Sequence, residues 1–184
     1  MENKSLLRRL AAGAAVLAVT GATLLGGASA AQAQPPVPPS GPIYFDPTSG
    51  IEHTIISGTT AGPCDQVGAD GTVPNALQVY VTGPSKFAPD PVNAPYGVAF
   101  TAATQFGFST TQPNTFAARV SFKEMALELG LSEVPVGDYV VDFRCVDELF
   151  IDRVYQTYTG TITFTTPTSF TAPGAPTPTP VPAA

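Results

Sequence analysis

The sequence predicts an all-β domain: an antiparallel β-sandwich of about seven strands with one short helix and one disulfide. Three observations carry this reading. Several short segments alternate apolar and polar residues with period two, turn residues separate them, and two cysteines lie far apart in a chain that begins like an exported one.

The alternation is clearest near the C-terminus. In residues 138–146, Tyr139, Val141, Phe143 and Cys145 take one face, and Val140, Asp142, Arg144 and Val146 take the other. Tyr158, Gly160, Ile162 and Phe164 alternate in the same way with Thr159, Thr161, Thr163 and Thr165. One apolar and one polar face per strand marks an antiparallel sheet that is wet on one side. Upstream, Leu77, Val79 and Val81 alternate with Gln78, Tyr80 and Thr82, and Phe116, Ala118, Val120 and Phe122 alternate with Ala117, Arg119 and Ser121. Shorter runs at 43–45, 53–57 and 98–101 complete the set, and 105–109 offers a further strand. Between them stand Gly62-Pro63, Asp70-Gly71, Gly83-Pro84, Pro89-Asp90-Pro91 and Gln112-Pro113-Asn114, which are turn formers.

One segment departs from the pattern. Residues 123–131 are rich in helix formers, with Met125 and Leu129 one turn apart. Ser121 with Glu124 has the spacing of a capping box, and Gly130 is a suitable stop, so a short helix is expected there. A short helix joining two strands across the end of a sandwich suits an immunoglobulin-like layout.

The Gly62-Pro63-Cys64 turn, the strand-then-helix of 116–131, the run from Gly137 to Cys145, and Tyr158-Thr159-Gly160 leading into Ile162-Thr163-Phe164-Thr165 together resemble actinobacterial secreted or cell-surface proteins built on an immunoglobulin-like domain. The resemblance covers most of residues 41–170. It implies an immunoglobulin-like fold and an extracellular address, and no particular reaction. No Trp is present to pack against the disulfide, unlike antibody domains.

The ends of the chain suggest its destination. Lys4, Arg8 and Arg9 precede an almost uncharged Ala/Leu/Val/Gly run over 10–25, followed by Ala28-Ser29-Ala30 and Ala31-Gln32-Ala33. This is the order of a secretory signal peptide, expected over 1–33, and the run falls short of the roughly 20 residues needed to span a bilayer. The membrane is thus a partner only through that peptide, before cleavage. A Pro-rich linker is expected over 34–41, the domain over 42–170, and an extended, disordered Pro/Thr-rich tail over 171–184. The tail carries no Leu-Pro-x-Thr-Gly signal, so release outside the cell, with at most loose wall association, is expected. In an oxidising compartment Cys64 and Cys145, the only two cysteines, are expected to pair.

Without residues 1–33 the chain keeps five basic and thirteen acidic residues, a formal charge of −8. Such a surface repels phosphate backbones, which argues against a nucleic-acid partner. His53 is the only histidine and no Gly-x-Ser-x-Gly elbow is present, so neither a catalytic residue nor an enzyme is expected. Asp65 to Gly71 lacks the ligand spacing and closing Glu of a calcium loop, and no metal or cofactor is predicted. The unusual segment is 147–155. Phe150, Ile151, Val154 and Tyr155 interleave there with Asp147, Glu148, Asp152 and Arg153, between the two clearest strands. As a loop at the sandwich tip it forms an amphipathic rim, with Phe150, Tyr155, Asp147 and Arg153 as candidate ligand-binding residues. If the strands run longer, these side chains cap the core. The expected function is a non-enzymatic interaction or adhesion module of the cell envelope, its partner an extracellular protein or cell-wall glycan. A carbohydrate-binding or glycan-processing domain using Tyr44, Tyr80 or Tyr96, and a structural envelope component, are the other readings.

Overall fold

The computed structural model describes residues 37, 39–92 and 94–176. The expected signal peptide, the first part of the expected linker, and residues 177–184 of the expected tail lie outside the described residues. Nine strands and one helix follow in the order β1 (Pro39–Asp46), β2 (Ser49–Ile51), β3 (Ser57–Thr60), β4 (Ala76–Thr82), β5 (Val98–Thr104), β6 (Thr115–Ala117), α1 (Phe122–Glu128), β7 (Gly137–Val146), β8 (Val154–Thr166) and β9 (Ser169–Thr171).

All nine strands belong to one sheet, in the order β5-β4-β7-β8-β1-β3-β6, with β9 added to β8 and β2 to β9. The strand that unites it is β1. Pro39 and Pro42 pair in parallel with Thr157 and Thr159 of β8, after which residues 43–46 pair antiparallel with β3 from Thr60 to Ser57. Proline has no N–H to give a ladder, and both β1 prolines sit in the sparse, shifted part of the pairing. The sheet curls until its ends meet at one point just past β6, where Arg119 N donates to Phe100 O of β5 at 3.4 Å. The result is barrel-like. This differs from the two separate layers of a sandwich, because period-two alternation shows which face is buried and says nothing about a strand shared between layers.

Several boundaries move relative to the sequence reading. The count is nine strands, not about seven, since β2 and β9 are three residues each and too short to show a period. β1 begins at Pro39, inside the expected linker. The expected tail starts inside the domain: Thr171 closes β9, Ala172 N donates to Thr48 O and Phe45 N to Pro173 O, both at 2.8 Å. The strand expected at 53–57 starts at Ser57, because Thr54 Oγ1 and Ile51 O close a turn around His53. Residues 105–109 form a turn in which Gly107 has a φ of +78°, not a strand.

The expected alternation holds where the chain is longest. Tyr139, Val141, Phe143 and Cys145 of β7 and Tyr158, Ile162 and Phe164 of β8 are buried, and β4 is buried on both faces. Gly160 lies across from Phe45 and Ile43; a Cβ there would stand 2.6 Å from the Phe45 ring. The core is aromatic around Phe122, whose ring lies 5.0 Å from Tyr139, 5.1 Å from Phe164 and 5.7 Å from Phe100. α1 sets that ring in place. Ser121 N donates to Glu124 Oε2 at 2.8 Å and Glu124 N to Ser121 Oγ at 3.2 Å, the expected capping box, and Gly130 follows the helix at φ +70°. Bonds from Ser121 hold the Glu124 carboxyl below its ordinary pKa. The helix therefore plugs the end of the core at which β7 begins.

The Cys64–Cys145 disulfide is present, with both residues fully buried and their Cα atoms 5.7 Å apart. It ties the segment after β3 to the last turns of β7, at the end opposite α1. No described helix is long and apolar enough to cross a membrane.

Candidate functional site

Three loops gather at the end of β7 that holds the disulfide: 61–75 between β3 and β4, 105–114 between β5 and β6, and 147–153 between β7 and β8. Buried polar side chains hold their bases. Asn114, fully buried, accepts from Ser109 N at 2.6 Å, and its amide group reaches Ser109 O at 3.0 Å and Cys64 Sγ at 3.5 Å. Gln156 accepts from Asp65 N and Gln66 N through Oε1 and donates from Nε2 to Tyr158 OH, which in turn donates to Pro63 O at 2.6 Å. A buried amide satisfied on every side is costly to rearrange, so these bonds fix where the loops leave the barrel.

Farther out, side chains tie loop to loop. Arg153 Nη1 lies 3.3 Å from Asp70 Oδ2, and Tyr155 OH donates to Thr72 Oγ1 at 2.9 Å. Hydrogen bonds from the Thr72 hydroxyl and amide, then Arg153, hold the Asp70 carboxyl below its ordinary pKa. Glu148 N donates to Asn75 Oδ1 at 2.7 Å, and Gln105 Nε2 to Glu148 Oε2 at 2.6 Å. Within its own loop Asp147 Oδ1 accepts from Leu149 N and Phe150 N, and Arg153 N closes the turn on Phe150 O at 2.7 Å.

The four candidate residues thus have different places. Asp147 shapes its loop, Arg153 pairs with Asp70 with its guanidinium 5.7 Å from the Phe150 ring centre, and Phe150 is 62% exposed. Tyr155 belongs to β8 and is half-buried, so it is a wall between two loops and not part of the 147–153 loop. Together with Val67, Asp70, Thr72 and Arg153 it lines a shallow cavity of about 420 Å3. Sequence reasoning missed Leu149, 82% exposed, and Phe106, 90% exposed. Leu149 was legible, as an apolar neighbour of Phe150 among carboxylates. Phe106 is hidden because its segment alternates as a strand would. With Ile151, Val67 and Val73 also exposed, the three loops show six large apolar side chains to solvent among Asp65, Asp70, Asp147, Glu148 and Asp152.

The remaining candidates lie elsewhere. His53 sits in an exposed turn 3.9 Å from Glu52. Tyr80 is buried beneath Arg144, whose guanidinium is 5.0 Å from its ring centre and 4.1 Å from that of Tyr96, and Arg144 pairs with Asp142 at 2.7 Å. Neither ring on that face is free on both sides. Among the described residues no three of His, Cys, Asp and Glu come together in a group able to hold a metal ion.

Compared with models of protein families, with curated proteins and with solved structures, the chain matches none.

Proposed function

We propose that this chain is a secreted, non-enzymatic recognition module that binds an extracellular protein through its three-loop end. The observation that carries the reading is the exposure of Leu149, Phe150 and Ile151 on a tightly bonded loop. Large apolar side chains held rigidly in water cost free energy that a partner recovers on covering them, and rigid aromatics lose little rotamer entropy in doing so. The lone disulfide, bridging a loop and a strand of the same chain, favours an oxidising compartment and thereby the signal-peptide reading of residues 1–33.

An immunoglobulin-like description fits the same features. β1 divides its pairing between β8 and β3, the disulfide joins the loop after β3 to β7, and Tyr139 near the start of β7 donates its hydroxyl back to Pro135 O at 2.7 Å. The first two are like the divided first strand and the inter-sheet bridge of such domains, which carry recognition loops at one end, and the third is like their tyrosine corner except that Tyr139 stands six residues before Cys145 and not two. The glycan reading is weaker, because Tyr80 is covered and Tyr96 carries Arg144.

The test uses a photo-crosslinking amino acid at Leu149 and, separately, at Val140 on the sheet face, in protein added to live cells. Under this reading a discrete protein adduct forms from position 149 alone and disappears when Phe150→Ser is added. Equal labelling from both positions, or adducts that a glycosidase removes, would overturn it.

A further inference from the structure

The main path of the sheet ends at β5 on one side and β6 on the other, and these ends face each other. Among the described residues one backbone hydrogen bond joins them, Arg119 N to Phe100 O. Toward Thr104 and Thr115 the strands part and leave a groove of about 480 Å3 over Leu77 and Phe116, with Ala102, Ala117 and the exposed ring of Phe106 along it and Arg119 where the strands meet. On either side of β6, Ala118 N donates to Ile56 O and Asn114 O accepts from Thr60 N. The alternate residues Thr115 and Ala117 therefore turn their backbone groups away from β3, as Arg119 does; the Thr115 carbonyl packs against Gly107, and the Thr115 amide with the Ala117 amide and carbonyl faces the groove.

We propose that this groove receives the C-terminal end of another polypeptide as an extended strand, paired with β6 and stopped by its own carboxylate at Arg119. Three features select this occupant. Unpaired strand-edge groups are satisfied by a backbone, which is how added strands are recognised. The groove is blind where β5 and β6 touch, so a chain can end there and cannot pass through. The blind end holds a cation without a partner. Of the five Lys and Arg among the described residues, Lys86 and Lys123 donate to carbonyls, Arg144 and Arg153 pair with carboxylates, and Arg119 does neither. From Thr115 to Arg119 the edge runs roughly 13 Å at about 3.3 Å per residue, room for about four residues. Apart from Phe106, the walls are short Ala and Thr side chains, so every second side chain of the guest, if small or β-branched, reaches Leu77 and Phe116. A second copy of this chain is a poorer fit, since β6 has three residues and β5 carries register shifts in its pairing with β4, both of which blunt long edge-to-edge association.

This groove shares Phe106 with the three-loop end but uses a strand edge that the other reading does not, so the two are tested apart. The probe is an array of all tetrapeptides of Ala, Val, Thr and Ile displayed with free C-terminal carboxylates, beside amidated twins, read with the oxidised protein. The best binder is then titrated while amide hydrogen exchange is followed. The expected result is binding about tenfold or more tighter for the acid than for the amide, with slowed exchange at Thr115 and Ala117. Arg119→Gln, an exposed change that leaves the fold intact, should abolish the acid-over-amide preference. Ala117→Pro, which removes a groove-facing amide and no bond to β3, should abolish binding. No binder on the array, equal binding of acid and amide, or protection confined to 147–153 would overturn the proposal. So would octanoate competing fully for the site without protecting those amides, or protection that grows with protein concentration in the absence of peptide.

Discussion

Removing the disulfide tests the energetics of the loop end most directly. Cys64 and Cys145 are 81 residues apart in sequence. Closing a loop of that length withdraws about 4.5 kcal/mol of chain entropy from the unfolded state at 25 °C. A domain of this size has only about 5–15 kcal/mol in total, so opening the bridge should remove a third or more of it. Both cysteines are fully buried, and Cys64→Ala with Cys145→Ala would add a loss of packing to the loop term. Reduction of the native protein keeps the sulfurs in place and isolates the loop term, so the two are best compared. With no Trp and six Tyr in the chain, urea unfolding is followed by far-UV circular dichroism and tyrosine emission. Reduced protein should unfold about 4–5 kcal/mol more easily, equivalent to roughly 15–20 °C in Tm, and the double Ala variant should be weaker still. Reduced and oxidised proteins agreeing within about 0.5 kcal/mol at equal m would refute the argument, because the bridge would then not be restraining the unfolded chain.

Three further outcomes follow from the core. Ser121→Ala removes the hydroxyl half of the capping box, leaving the bond from its backbone N–H to Glu124, and should cost about 1 kcal/mol, read as a lower urea midpoint without change at the loop end. Gly160→Ala drives a methyl to within 2.6 Å of the Phe45 ring and should cost about 1–3 kcal/mol; an unchanged midpoint would show that β1 yields freely there. Burial pushes the Tyr139 hydroxyl well above its ordinary pKa, so the native state keeps that proton after the unfolded chain has lost it. Its contribution is whole below the unfolded value near 10 and falls as pH rises beyond it, by up to about 1.4 kcal/mol per pH unit. Tyr139→Phe should lower stability at pH 7 by about 1–2 kcal/mol, through the unsatisfied Pro135 carbonyl, and flatten the alkaline decline. A decline as steep in the variant as in the native protein would assign it to Tyr80, Tyr96 and Tyr158, which burial also raises.

How much of this was legible in the sequence depends on distance along the chain. The faces of β7 and β8, the capping box and the disulfide all show in local spacing or in a count of two cysteines, and they stand where expected. What failed was anything decided by a remote partner. Pro39 reads as linker because proline suits one, and it becomes strand only because Thr157 lies beside it. Residues 105–109 alternate well enough for a strand, yet Asn114 holds Ser109 and Gly107 turns the chain. Tyr80 looks like an exposed ring on a polar face until Arg144, two strand positions from Val146, is seen to cover it. At the loop end, Phe150 and Arg153 could be chosen from their unusual neighbours, whereas Asn114 and Gln156 look like ordinary polar residues until their bonds are traced.

The divided pairing of β1 also bears on how the chain comes to its shape. Whether it leaves the ribosome or an export channel, the N-terminus emerges first, and β1 can form its hairpin-like contact with β3 as soon as Thr60 appears, over a short stretch of chain. Its other partner, Thr157, arrives almost at the end, and β9, which anchors Thr48 and Phe45 through the residues that follow it, arrives last of all. Until then the edges of β1 and β7 that β8 will cover stand open. Closing so distant a pairing is slow and leaves those edges available for wrong partners. A chain cut before residue 154 would therefore keep most of its hydrophobic residues and lose the one strand that joins its first and last quarters, and aggregation is the fate to expect of it.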